Sequence, residues 1–168
     1  AAFEILARGR DRIHLDYAPH AGEHSAENEI PFVQRVLPDA KLVVAVTGDH
    51  DRETLNQLVA ALNELAKAKK ILVVASSDML HSPDYDLVSK TDRQTLKKVA
   101  ALDTKGIVYD WNPDHQVFCG LMPVLAAMQF AEAQGCKAGT VLQYRNNGDD
   151  DPSSRGNCSA RTGRLART

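Results

Sequence analysis

Two short apolar runs flanking an amphipathic pattern restrict this chain more than anything else in it. The runs are Lys41-Leu-Val-Val-Ala-Val-Thr47 and Ile71-Leu-Val-Val-Ala-Ser76. Both are rich in β-branched residues and lack polar alternation, which is the habit of strands buried on both faces in a parallel sheet. Between them Leu55, Leu58, Val59, Leu62, Leu65 and Ala66 recur on one face of a helix, and Asn56, Gln57, Asn63, Glu64 and Lys67 fall on the other. Asp51 suits the N-cap, Glu53 the positive end of the dipole, and Lys67, Lys69 and Lys70 the negative end. Strand, helix and strand in that order form a right-handed βαβ crossover with parallel strands. The expected class is therefore α/β, a mostly parallel sheet flanked by helices.

The remaining segments are read around that unit. Residues 3–8 are a candidate short strand, and 10–24 a polar loop carrying His14, His20 and His24. Ser25 is a candidate N-cap for a helix over 26–36, ended by Pro38. The pattern predicts a helix over 87–102, with Gly106 closing that region, and an apolar helix over 115–133 closed by Gly135. A last strand is expected over 140–145. Residues 1–150 are read as one domain, and 151–168 as a poorly ordered polar tail.

Bulk properties narrow the function classes. The 168 residues suit one core, and 43% hydrophobic with 25% charged residues is ordinary for a globular protein. A net charge of -2 gives no basic surface for nucleic acid or an anionic membrane, so neither is expected as a partner. No run approaches the roughly 20 apolar residues that span a bilayer. The opening Ala-Ala-Phe-Glu-Ile has no signal-peptide pattern, and three scattered cysteines make no disulfide framework, so a cytoplasmic protein is expected.

The candidate chemistry lies where the second run stops. Ser76-Ser77-Asp78 ends it and His81 follows, and ligands of open parallel sheets bind just past the carboxyl ends of strands. Asp78 and His81 together can hold a metal or act as a base with its orienting acid; equally, Asp78 can cap a turn and His81 can be a loop residue. Cys119 reads by itself as a buried, inert thiol. If the apolar helix starts close to it, as Pro123 in a first turn would require, the helix dipole favours a thiolate suited to iron, copper or zinc. His20, Glu23 and His24 are further candidates in a polar loop.

Four blocks tie these residues together. They are Glu23-His-Ser-Ala-Glu-Asn-Glu-Ile-Pro-Phe-Val-Gln34, Val73-Val-Ala-Ser-Ser-Asp-Met-Leu-His81, Cys119-Gly-Leu-Met-Pro123 and Leu142-Gln-Tyr-Arg-Asn-Asn-Gly-Asp149. In order and spacing they resemble the MEMO family, whose bacterial members are labelled AmmeMemoRadiSam system protein B. The resemblance implies a fold related to class III extradiol ring-cleaving dioxygenases and a pocket holding iron or copper. It places Cys119 at the family's metal-binding cysteine, Asp78 and His81 in the pocket, and Glu23 and His24 at its border. Two departures stand out. The family's N-terminal segment, with two histidine ligands, precedes the region matched here, which leaves open that no metal is bound. Pro19-His20-Ala21-Gly22 sits immediately before Glu23, not where the family's own histidine motif lies. Beyond Asp149 the tail also diverges.

Three functions follow as expectations. The first is metal-dependent, dioxygenase-like redox chemistry on a small-molecule substrate, with His81, Cys119 and His20 as ligands, Asp78 beside them, and Glu23, His24 and Ser77 around the substrate. The second is a metal-independent ester hydrolase with Cys119 or Ser77 as nucleophile, His81 as base and Asp78 or Asp86 as its acid, although no Gly-x-Ser-x-Gly elbow is present. The third is a non-catalytic binding scaffold. An uncovered strand edge in a shortened sheet leads to the expectation of a homo-oligomer.

Overall fold

The computed structural model describes residues 2–48, 50–156, 158–161 and 165–166. Part of the expected tail therefore lies outside the described residues. The chain divides into two compact units, Ala1–Ser76 and Ser77–Thr168.

The first unit is built on helices. α1 spans Ala2–Ala7, α2 Ile30–Val36 and α3 Arg52–Ala68. The α3 pattern forms as the sequence requires: Asp51 caps it by accepting the Thr54 N–H at 2.8 Å, and Leu55, Ala61 and Leu65 are buried. The strand expected over residues 3–8 is a helix instead, because Ala2, Ile5 and Leu6 share a face that packs on Ala61 and Leu65. Arg10 joins the two helices, pairing with Glu64 at 2.8 Å. α2 starts at Ile30, later than expected. Pro31 lacks an N–H and is tolerated only in a first turn, so the helix begins beside it. Ser25 does not cap it; its carbonyl accepts the Ser76 hydroxyl at 2.9 Å.

The apolar runs at 41–47 and 71–76 do not form strands. Both have no regular secondary structure and no ladder partners among the described residues. Leu72 and Val74 are 74% and 58% exposed, while Ile71, Val73 and Ala75 are half-buried. A run of this kind becomes a strand only where neighbouring backbone satisfies its N–H and C=O groups. The described strand pairs are all antiparallel and lie in the second unit, so the class is mixed helix with few strands.

In the second unit β1 is His81–Ser82, α4 Tyr85–Ala100, α5 Thr104–Asp110 and α6 Leu121–Ala133. β2 (Thr140–Val141), β3 (Arg145–Asn146), α7 (Asn147–Asp150), β4 (Cys158–Arg161) and β5 (Leu165–Ala166) follow. β4 lies between β1 and β3, with His81 opposite Ser159 and Asn146 opposite Ala160. The expected strand over 140–145 is thus reduced to its two ends, in different sheets.

Helix boundaries follow capping chemistry. Asp84 accepts the Leu87 N–H at 2.9 Å and starts α4. Gly106 does not close that region but lies inside α5, where its N–H is capped by Asp103 at 2.8 Å. α6 begins at Leu121, not 115, and Pro123 then falls in its first turn. Met122, Leu125, Ala126 and Met128 are buried around α6, alongside Ile107, Val117 and Phe118. Each of these side chains larger than alanine contributes on the order of 2 kcal/mol on removal from water.

Candidate active cleft

Asp78, His81 and Cys119 come together at one edge of the second unit. Met79 and Leu80 are buried at 1% and 4% exposure and anchor the segment, leaving Asp78 and His81 on its outer side. The His81 Nε2 lies 3.4 Å from Asp78 Oδ2, with both side chains about half exposed. Cys119 follows buried Val117 and Phe118 and precedes α6, and its N–H donates to the Asp78 carbonyl at 3.2 Å. That bond joins the two chemistry-bearing segments directly. The thiol is exposed, not core as its residue type alone suggests, because Pro123 delays the helix and leaves Cys119 on the turn before it.

A cleft of about 300 Å³ opens there, lined by Leu80, His81, Pro113, Asp114, Gln116 and Cys119. Its far wall is the loop over 112–116, closed by reciprocal backbone bonds between Asn112 and His115. Trp111 secures its base, donating Nε1–H to the Phe118 carbonyl at 3.1 Å.

Ser77 is 5% exposed and lies beneath the cleft. Its hydroxyl donates to the Asp78 carbonyl at 2.8 Å and accepts the Gly120 N–H at 2.8 Å. The Cys119 Sγ is 3.6 Å from the same oxygen. Gly120 permits this approach, since a Cβ there would meet the Ser77 Cβ and Oγ at 3.0 Å. Among the described residues, this seating keeps Ser77 away from the open cleft.

Behind β1 sits a buried polar network. Asp92 is fully buried on α4 and accepts the Leu80 N–H at 3.3 Å and the Tyr144 O–H at 3.0 Å. Burial pushes its carboxyl up to about 6, against the opposing effect of the Tyr144 and Leu80 hydrogen bonds. Burial likewise pushes the Tyr144 phenol up to about 12. Asn146 donates to Ser89 Oγ at 3.1 Å and Tyr144 Oη at 3.3 Å. It also forms a capping box with Asp149 at the start of α7. This network fixes the backbone immediately before His81.

Of the other residues predicted from the sequence, His20, Glu23 and His24 belong to the first unit and Asp86 to the second. His20 is half-buried in a 3-10 turn over Ala18–Gly22, and Glu23 and His24 are exposed just after it. Glu23 accepts the Ser25 N–H at 2.7 Å, and that bond holds its carboxyl below the usual range. Asp86 is exposed on the first turn of α4. Two groups of residues escaped the sequence reading. Asp92 carried a signal, a carboxylate in the apolar register of Val88, Leu96 and Val99. Asp114 and Gln116 carried none.

Comparison with known proteins agrees with the family resemblance that the sequence blocks carry. The family description "Memo-like protein" matches residues 2–162. The MEMO1 family protein of Methanopyrus kandleri is 30% identical over 137 residues, covering 80% of this chain and 48% of that protein. Those of Methanobrevibacter smithii and Methanocaldococcus jannaschii are 29% and 28% identical, each covering 87% of this chain and 52% and 53% of their own lengths. The chain therefore spans about half the length of these relatives. No solved structure matches. With residues 2–162 matched, the chain belongs to the Memo-like protein family.

Proposed function

We propose that the cleft is part of a metal-binding, extradiol dioxygenase-like redox site acting on a small molecule. The observation that carries this is the meeting of His81 and Cys119 on one exposed cleft, with Asp78 against the imidazole. An imidazole and a thiolate suit iron, copper or zinc in donor type. Among the described residues no group of three His, Cys, Asp or Glu side chains stands close enough to hold an ion. His81 and Cys119 are the two donors this reading starts from. A bound iron or copper would supply oxygen activation. The chain's own residues orient and hold: Asp78 fixes the imidazole through Nε2, and the Asp78 carbonyl anchors Cys119.

Elemental analysis of protein purified without chelators tests this reading. About one equivalent of iron, copper or zinc supports it, and less than about a tenth of an equivalent contradicts it.

The same pair favours a second reading, a thiol esterase. The Asp78 contact with His81 Nε2 is the orienting half of a nucleophile–base–acid arrangement. The exposed Cys119 suits the nucleophile's place better than Ser77, whose hydroxyl is buried and engaged. Ester cleavage that survives chelation and is lost in His81→Ala supports this reading, and cleavage abolished by chelation excludes it.

A further inference from the structure

We propose that Asp114 is the specificity residue of the cleft, and that the small molecule it selects carries an ammonium group. This rests on the cleft being the substrate site proposed above, and names the substrate class for it. At about 300 Å³ the cleft is at the small end of ligand pockets. Its far wall, the loop over 112–116, contributes two exposed polar side chains, Asp114 and Gln116. The Gln116 Nε2 donates to the Pro113 carbonyl at 3.2 Å, which holds the amide by its nitrogen and leaves Oε1 as an acceptor. The Asp114 carboxylate has no hydrogen bond or ion pair among the described residues. Its backbone is tied instead, the N–H donating to Asn112 Oδ1 at 3.0 Å. No Lys or Arg is among the residues that line the cleft.

The loop wall thus offers acceptors and a negative charge, and the partner it lacks is a cationic donor. An ammonium group has three donors and no acceptor, so it can engage the Asp114 carboxylate and Gln116 Oε1 together. A carboxylate or phosphate in the same place meets like charge at Asp114. The loop is preorganised for this task. Asn112 and His115 exchange backbone bonds at 3.4 and 3.0 Å, and the Asn112 side chain closes the turn onto Asp114. Little ordering is then needed on binding. Because the loop faces His81 and Cys119, a molecule held at Asp114 by its ammonium keeps its other end beside those two side chains.

The test is calorimetric titration of the full chain, as purified and at neutral pH, with benzylamine, benzyl alcohol and benzoate. The three share a ring and differ in the charge of one group. Benzylamine is expected to bind about fivefold more tightly than benzyl alcohol, and benzoate more weakly than either. The preference for the amine should vanish in Asp114→Asn, which keeps the side chain's size and the loop's backbone bonds. It should persist in Glu132→Gln, which removes an exposed carboxylate from the last turn of α6. Equal affinities for amine and alcohol in the wild type, no benzylamine binding at millimolar concentration, a preference that survives Asp114→Asn, or an equal loss in Glu132→Gln each overturns the proposal. Metal content measured on the same samples separates this from the redox reading. Absence of metal removes that reading alone, and equal affinities for amine and alcohol remove the substrate assignment alone.

Discussion

The apolar run at 71–76 and the helix α6 have similar residue content and opposite fates. In α6, Met122, Leu125, Ala126 and Met128 are all at most 3% exposed. In the run, Leu72 and Val74 are more than half exposed. A helix satisfies its backbone internally and needs only side-chain neighbours, which α5 and the Val117–Phe118 segment supply. An extended run needs neighbouring backbone as well, and among the described residues none pairs with it. Apolar sequence therefore specifies a need for cover, and the partner decides whether burial follows.

The sharpest way to break this comparison is to truncate one side chain from each region. Met128→Ala, at 2% exposure, should cost about 2–5 kcal/mol through lost burial and a cavity. A loss under about 1 kcal/mol in denaturant unfolding would mean that α6 is not packed as described. The next effect is electrostatic and concerns the second unit alone. The Asp92 carboxyl titrates near 6 in the folded chain against 3.8 for the free group. Its folded value is raised, so its contribution to stability is full below pH 3.8 and is lost as pH rises through about 6. Asp92→Asn should therefore gain on the wild type between pH 4 and pH 7.5 by on the order of 2–3 kcal/mol. Parallel pH profiles for the two proteins would show that Asp92 is not buried as a carboxylic acid. The smallest effect belongs to the run: Leu72→Ser should change stability by less than about 0.5 kcal/mol. A cost above about 1.5 kcal/mol in the same melts would show that this face is covered in solution.

What the sequence revealed differs between the regions for the same reason. α3 was legible through Asp51 and its leucine register, because a capped amphipathic helix is specified locally. The runs at 41–47 and 71–76 were read as buried parallel strands, and among the described residues neither forms a strand, because pairing depends on neighbouring backbone that a local pattern does not specify. The start of α6 was missed although Pro123 marked it, because apolar residues at Val117 and Phe118 prolong the pattern without continuing the helix. The cleft was partly legible. Asp78 and His81 were singled out as lying past a strand end, which the structure does not form, and motif order joined them to Cys119, whereas Asp114 and Gln116 line the cleft through a loop whose position only the tertiary structure sets.

The account depends most on His81 and Cys119 acting as one donor set. Cobalt(II) titration followed by absorbance tests this directly. The account predicts a saturable thiolate-to-cobalt charge-transfer band that disappears in Cys119→Ser and shifts or weakens in His81→Ala. A band that persists in Cys119→Ser, or that is identical in wild type and His81→Ala, would contradict it.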